Sequence, residues 1–185
     1  MNKNDIKAIL KTALSLFLIC AVASGILAFV NTATAPIISE NNKKNADAAR
    51  LKVLPNADSF VLKTADDGTV YYEGTKNSKL SGYVFTTSAS GYGGKINVMT
   101  GINADGIITG ISILEINETP GLGMNAKKDS FANQYNGKSG PFSVIKNSTP
   151  KNNEILAITS ATITSNAVTN AVNQAKSLFE AVKEG

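Results

Sequence analysis

The sequence predicts an α+β fold: one N-terminal transmembrane helix, then a single outer domain in which an antiparallel sheet is flanked by helices. Thr12 to Val30 is a run of nineteen residues without a charge or a proline, and at about 1.5 Å per residue it can cross a hydrocarbon core of about 30 Å. Five short runs rich in β-branched and aromatic residues follow, separated by turn residues, and a strongly amphipathic segment closes the chain. Strands grouped first and a helix afterwards make an α+β pattern rather than alternating βαβ units.

Composition narrows the chemistry. The 185 residues, less the apolar segment, leave room for one domain with one core. The net charge of +4 is carried by scattered lysines such as Lys43, Lys44, Lys127, Lys128 and Lys176, with no basic stripe interleaved with aromatics, which argues against nucleic acid as a partner. The single cysteine, Cys20, lies in the apolar segment, so disulfides within the chain and an iron–sulfur cluster on its own thiolates are excluded. Phe17-Leu18-Ile19 precedes it where a lipoprotein signal needs a small residue. With no histidine, the usual haem ligation, histidine triads and histidine-rich zinc sites are ruled out, and an organic cofactor is the redox option left.

Residues 1–35 are expected to form the inner tail and the span. A cleaved signal peptide competes with this, because Ala33-Thr34-Ala35 has the spacing of a cleavage site, but Pro36 and the length of the apolar core favour a retained anchor. Lys3, Lys7 and Lys11 precede the span with only Asp5 opposing, whereas the first charge beyond it is Glu40, followed by Lys43 and Lys44. That bias puts the N-terminus in the cytoplasm of a single-pass cell-membrane protein and the bulk of the chain outside it. Residues 36–55 are expected to form a stalk helix capped by Ser39, with Ala46, Ala49 and Val53 along one side and Pro55 as its stop.

The outer domain then covers 56–185. Strands are expected at Ser59–Leu62, Thr69–Tyr72, Gly82–Thr86, Ile96–Met99 and Ile107–Leu114, with Ala104-Asp105-Gly106 as the turn joining the last two. Ten of the fifteen glycines fall between Gly91 and Gly140, where they permit tight turns and close backbone approach. Ile155–Ile158 is apolar, and a helix is expected from Ser165, with Ala167, Val168, Ala171, Val172, Ala175, Leu178, Phe179 and Val182 at helical spacing.

Three segments carry candidate chemistry. Ser90-Gly91-Tyr92-Gly93-Gly94-Lys95 departs from a phosphate loop at Ala89 and Ile96, and Gly121-Leu122-Gly123-Met124-Asn125-Ala126 follows a turn, Thr119-Pro120, where a dinucleotide fingerprint follows a strand; both read as glycine turns. The third, Thr159-Ser160-Ala161-Thr162-Ile163-Thr164-Ser165, places five hydroxyls in seven residues at a helix entrance. One cap, Thr164 or Ser165, would suffice. The excess suits a phosphate held at the helix N-terminus, whose free N–H groups and dipole favour an anion.

This segment resembles the flavinylation motif of the FMN-binding domain family, a Ser/Thr-Gly-Ala-Thr core followed by an apolar residue, Thr and Ser. The resemblance implies covalent FMN, linked through its phosphate to Thr162, with Thr159, Ser160, Ala161, Thr164 and Ser165 around it. Ser160 stands where the family has glycine, and Leu156 where it often has aspartate. Glu118-Thr119-Pro120-Gly121-Leu122-Gly123 resembles the loop beside the flavin in Rnf and sodium-pump members, which implies Glu118, Thr119, Gly121, Leu122 and Gly123 as neighbours of the ring or ribityl chain. Ile116 and Asn117 stand where the family frequently has a histidine.

Over nearly its whole length the chain is similar to the G subunits of Rnf complexes. That implies a membrane-anchored electron-transfer subunit of a ferredoxin:NAD oxidoreductase coupled to ion transport, with other membrane subunits and a flavin transferase as partners, an electron carrier rather than a catalyst alone. The C subunit of a sodium-translocating NADH:quinone oxidoreductase, a free-standing extracytoplasmic flavoprotein and a non-redox interaction module are the alternatives.

Overall fold

The computed structural model of the chain describes residues 3–184; the side chains of Lys3 and Asp5, which carry part of the expected inner flank, and all of Gly185 lie outside the described residues. The first helix, α1, is unbroken over Lys3–Val53, with Pro36 inside it. This corrects the expectation of a separate stalk capped by Ser39. A proline removes one N–H, here the one that would reach the carbonyl of Thr32, at a cost of about 3 kcal/mol. It ends a helix only if the turns beyond are not held, and Ala49 and Val53 are buried while Arg50 pairs with Asp47. The stop is where the sequence puts it, with Leu54 N–H donating to Arg50 O at 3.0 Å and Pro55 next.

Two compact units divide at Lys44 and Asn45. The first is helix alone, with Phe17, Ile19, Leu27 and Phe29 exposed. The hydroxyls of Ser15, Thr32 and Thr34 donate to carbonyls four residues earlier at 2.8–2.9 Å, so these three are satisfied within the helix. Among the described residues this is the one helix long and apolar enough to cross a membrane.

The second unit is built on a five-stranded antiparallel meander in chain order: β1 Ser59–Thr64, β2 Val70–Lys76, β3 Lys79–Ser90, β4 Lys95–Asn103 and β5 Ile108–Glu115. All five expected strands are present, and β2, β3 and β4 are longer than their apolar runs because hairpin pairing recruits the polar flanks. Asn77 and Ser78, with φ of 49° and 63°, close the β2–β3 hairpin between the paired residues Lys76 and Lys79, the left-handed backbone that a two-residue turn demands. At the β4–β5 turn the Asn103 side chain accepts the N–H groups of Asp105 and Ile107 at 3.0 and 2.9 Å.

The last helix, α3, runs from Thr162 to Glu184 and covers one face of the sheet. Ala167, Val168, Ala171, Val172, Ala175 and Phe179 pack there with Phe85, Ile96, Val98, Ile102 and Ile108. Its start at Thr162, three residues before the expected Ser165, is a second correction. Between β5 and α3 lie a 3-10 turn at Gly123–Lys127, a short helix α2 at Asp129–Ala132, a 3-10 turn at Asn133–Tyr135, and the strands β6 Ser143–Ile145 and β7 Glu154–Leu156. The last two form a parallel pair, a small second sheet where only an apolar run was visible. Buried Tyr135 joins this region to α3 through a 2.7 Å hydrogen bond with Thr169.

On the other sheet face a second cluster, Ala49, Val53, Leu54, Ala57, Val84 and Met99, holds the end of α1. The strands are bare here: a Cβ at Gly101 would fall 2.2 Å from Val53 O, and one at Gly74 2.4 Å from Leu54 Cδ2. The missing side chains let a helix end rest on strand backbone, and Thr109 Oγ1 donates to Val53 O. Leu54, fully buried, fills the space above Gly74 and Gly82. Leu54→Ala is expected to cost about 2–5 kcal/mol, and Leu54→Met under about 1.5. Thermal unfolding of the detergent-solubilised chain reads the difference, and equal melting of the two variants would contradict this packing.

Candidate functional site

Three chain segments meet at one carboxylate. Glu118, in the loop after β5, is buried. Its Oε1 accepts the N–H of Tyr92 at 2.7 Å and of Gly93 at 3.1 Å, both in the β3–β4 hairpin. Its Oε2 accepts the hydroxyl of Thr164, in the first turn of α3, at 2.9 Å. Hydrogen bonds to a charged acceptor contribute about 1.5–3 kcal/mol each, whereas a buried carboxylate stripped of them pays its full desolvation cost.

The nearby glycines are what let the carboxylate in. An added Cβ at Gly91 would lie 2.2 Å from Glu118 Oε1, at Gly93 2.0 Å from Asn117 O, and at Gly123 2.6 Å from Glu118 Oε2 and 2.7 Å from Thr164 Oγ1. A side chain at Gly123 would therefore act first on Glu118 and Thr164. Gly121 differs, with φ of +78° and open space around its Cβ direction.

The five hydroxyls from Thr159 to Ser165 have separate fates. Ser165 is buried in the first turn, where its hydroxyl donates to Ala161 O at 2.9 Å and accepts the N–H of Ile158 at 3.0 Å. Thr164 is spent on Glu118. Neither is the helix cap expected from the sequence, because α3 begins before both. The side chains of Thr159, Ser160 and Thr162 engage no partner among the described residues.

Thr162 is half-buried at the first position of α3. The first helical bond runs from Ser165 N–H to Ala161 O at 3.0 Å, and the N–H groups of Thr162, Ile163 and Thr164 donate to no group among the described residues. The segment before them is pinned from both sides. Gln134 accepts the N–H of Leu156 at 2.7 Å and donates to its carbonyl at 3.2 Å, and Ala157 N–H donates to Ile145 O at 2.9 Å.

A half-open groove of about 490 Å³ lies against this helix start. It brings together Glu118, Thr119, Leu122, Gly123, Ser160, Ala161, Thr162 and Thr164 from the expected site, and adds Tyr92 and Ile163. Thr159 instead lines a neighbouring groove of about 460 Å³ with Lys146, Ser148 and Thr149; Ser160 and Thr162 border both grooves. Gly121 and Ser165 line neither. Tyr92, 74% exposed within a glycine run, was the signal for the hairpin's part in the site. Lys146 carried no sequence signal.

Residues 91–177 match the model of the FMN-binding domain, and residues 1–53 match that of the RnfG N-terminal region. The chain is 40% identical to the G subunit of the Na(+)-translocating ferredoxin:NAD(+) oxidoreductase complex of Acetobacterium woodii, over 95% of this chain and 94% of that one. The chain belongs to the family of G subunits of ion-translocating oxidoreductase complexes. Another member, the G subunit of the proton-translocating ferredoxin:NAD(+) oxidoreductase complex of Clostridium ljungdahlii, is 33% identical over 94% of this chain and 91% of its own length. The C subunit of the Na(+)-translocating NADH-quinone reductase of Parabacteroides distasonis shares the fold, with a TM-score of 0.59 at 17% identity over 74% of this chain and 90% of that one. NqrC of Shewanella oneidensis does so with a TM-score of 0.57 at 18% identity over 74% of each chain.

In this member of the family, Ser160 has φ of +60°, which explains why glycine suits the position. The left-handed conformation costs a non-glycine residue about 1–2 kcal/mol, and glycine returns about 0.4–1 kcal/mol of that through the unfolded chain. Ser160→Gly is expected to stabilise the protein by up to about 1 kcal/mol, read as a higher melting temperature; a lower one would mean the serine side chain makes a contact that outweighs its backbone strain.

Proposed function

We propose that this chain is a membrane-anchored electron-transfer subunit of an Rnf-type ferredoxin:NAD oxidoreductase complex coupled to ion translocation, and that it carries FMN as a phosphoester on Thr162. The observation that carries the attachment site is the pairing, at one residue, of an unengaged hydroxyl with the free N–H groups of a 23-residue helix start. Those N–H groups and the helix dipole suit the remaining negative charge of a phosphodiester. The groove beside them is within the range of small-ligand sites, and its apolar lining by Tyr92, Leu122, Ala161 and Ile163 suits a planar ring while Ser160 and Thr119 supply polar edges. The residues therefore fit the cofactor.

When bound, FMN supplies one- and two-electron transfer, and the protein's task is to hold it, tune it and bring it to neighbouring centres. Thr162 would contribute the ester oxygen and lose its hydroxyl proton as the flavin phosphate gives up the oxygen-linked group it carries on phosphorus, so the chain would gain the mass of FMN less one water. Thr164 and Ser165 keep the first turn of α3 in place, and Leu122, Ile163 and Tyr92 line the groove with exposed apolar surface. A flavin transferase is the partner for attachment, the other membrane subunits are the partners for electron flow, and α1 is the anchor. The charge bias around the span favours a cytoplasmic N-terminus, with residues 45–185 outside.

Two experiments test this reading. After denaturation, protein coexpressed with a flavin transferase is expected to keep in-gel flavin fluorescence and the mass of the adduct, and Thr162→Ala to lose both while keeping a stability within about 1 kcal/mol of wild type, since this hydroxyl bonds no group among the described residues. An adduct retained in Thr162→Ala would move the site to Thr159 or Ser160, and no flavin on the wild type would favour a non-redox interaction module. Separately, a reporter fused to the C-terminus is expected to be active only outside the cytoplasm; activity inside would reverse the topology.

A further inference from the structure

We propose that Glu118 is the positioning residue of the flavin seat: one buried carboxylate that locks the glycine hairpin and the first turn of α3 together, so that the Thr162 hydroxyl faces the groove, while placing a negative charge at the groove's floor. The inference deepens the reading above and rests on it. Sequence resemblance suggests Glu118 as a neighbour that touches the cofactor; the geometry gives it different work. Both carboxylate oxygens are occupied by Tyr92 N–H, Gly93 N–H and Thr164 Oγ1–H. The residue it grips on α3, Thr164, is two positions from Thr162, on the same first turn.

That turn has few other restraints. Its own first N–H groups donate to no group among the described residues, and the backbone before it enters through Ser160 in a left-handed conformation. Ser165 ties the turn to Ile158 and Ala161, which are local, whereas Glu118 ties it across 46 residues to the sheet side of the groove. The absence of side chains at Gly91, Gly93 and Gly123 is needed for this arrangement, since a Cβ at each would collide with Glu118 or its neighbour Asn117. Three positions in two segments are thus committed to admitting Glu118 and its neighbour.

Glutamine separates geometry from charge. Its carbonyl oxygen can accept from Tyr92 and Gly93, and its amide can donate to Thr164 Oγ1, so the clasp survives while the charge is lost. The test uses the full chain, wild type and the variants Glu118→Gln, Glu118→Ala and Thr164→Val, produced with and without a flavin transferase.

In protein made without the transferase, Glu118→Ala and Thr164→Val are expected to raise amide hydrogen exchange in residues 158–166 at least tenfold, with β4 unchanged. In protein made with it, the same two variants should lose several-fold in adduct fraction by intact mass. Glu118→Gln should match wild type in both, yet show a more positive flavin reduction potential, because a negative charge beside the ring opposes added electrons. Wild-type exchange and adduct yield in Thr164→Val, loss of adduct in Glu118→Gln equal to that in Glu118→Ala, or an unchanged potential in Glu118→Gln would each overturn the proposal. Should Glu118→Ala fail to fold, Thr164→Val and Glu118→Gln still decide it. If wild type carries no flavin, the reading of function fails, and the exchange measurements alone judge the clasp.

Discussion

The site depends on a carboxylate that has been taken out of water and fully hydrogen-bonded. Glu118 is buried with three donors on two oxygens, two from a hairpin and one from a helix start. An ion in that position is tolerated only because it is paired with donors of good geometry. The demand propagates outward: the hairpin must be glycine at two positions, the 3-10 turn must begin with Gly123, and α3 must offer a hydroxyl in its first turn. Motifs that look like phosphate loops in the sequence are here the space left around one side chain.

Around that fixed point the hydroxyl-rich segment is divided between architecture and exposure. Ser165 and Thr164 are consumed by the fold, one bridging the turn that precedes α3 and the other meeting Glu118. Thr162 is left with an oxygen free and helix amides beside it. A helix that begins with its polar side chains turned inward and its backbone N–H groups turned outward suits an anion at its start, and it explains why the segment has more hydroxyls than a cap requires.

The opposite face of the sheet meets the end of α1 by a different device. Glycines strip the strands of side chains so that Val53 and Leu54 approach the backbone itself, and Thr109 closes the contact by donating to the last helical turn. This packing holds the last turns of α1, at Ala49 and Val53, on the sheet.

Much of this protein was legible in its residues. The span, the five strands, the Asp105-Gly106 turn and the amphipathic α3 follow from local periodicity and turn chemistry, which depend on neighbours in sequence. The hydroxyl segment and the Glu-Thr-Pro-Gly-Leu-Gly loop were visible as motifs, and nine of their residues do converge on one groove. What needed the tertiary structure was the assignment of each side chain within those motifs. That Thr164 is spent while Thr162 is free, and that Glu118 faces backbone amides, depend on contacts between segments 25–46 residues apart, while Ser165 is a lock through Ile158 and Ala161 in the turn before the helix. The parallel β6–β7 pair and the seating of the end of α1 on the sheet escaped the sequence for one cause: local propensity sets what a segment prefers, and packing against a distant partner decides which preference is kept.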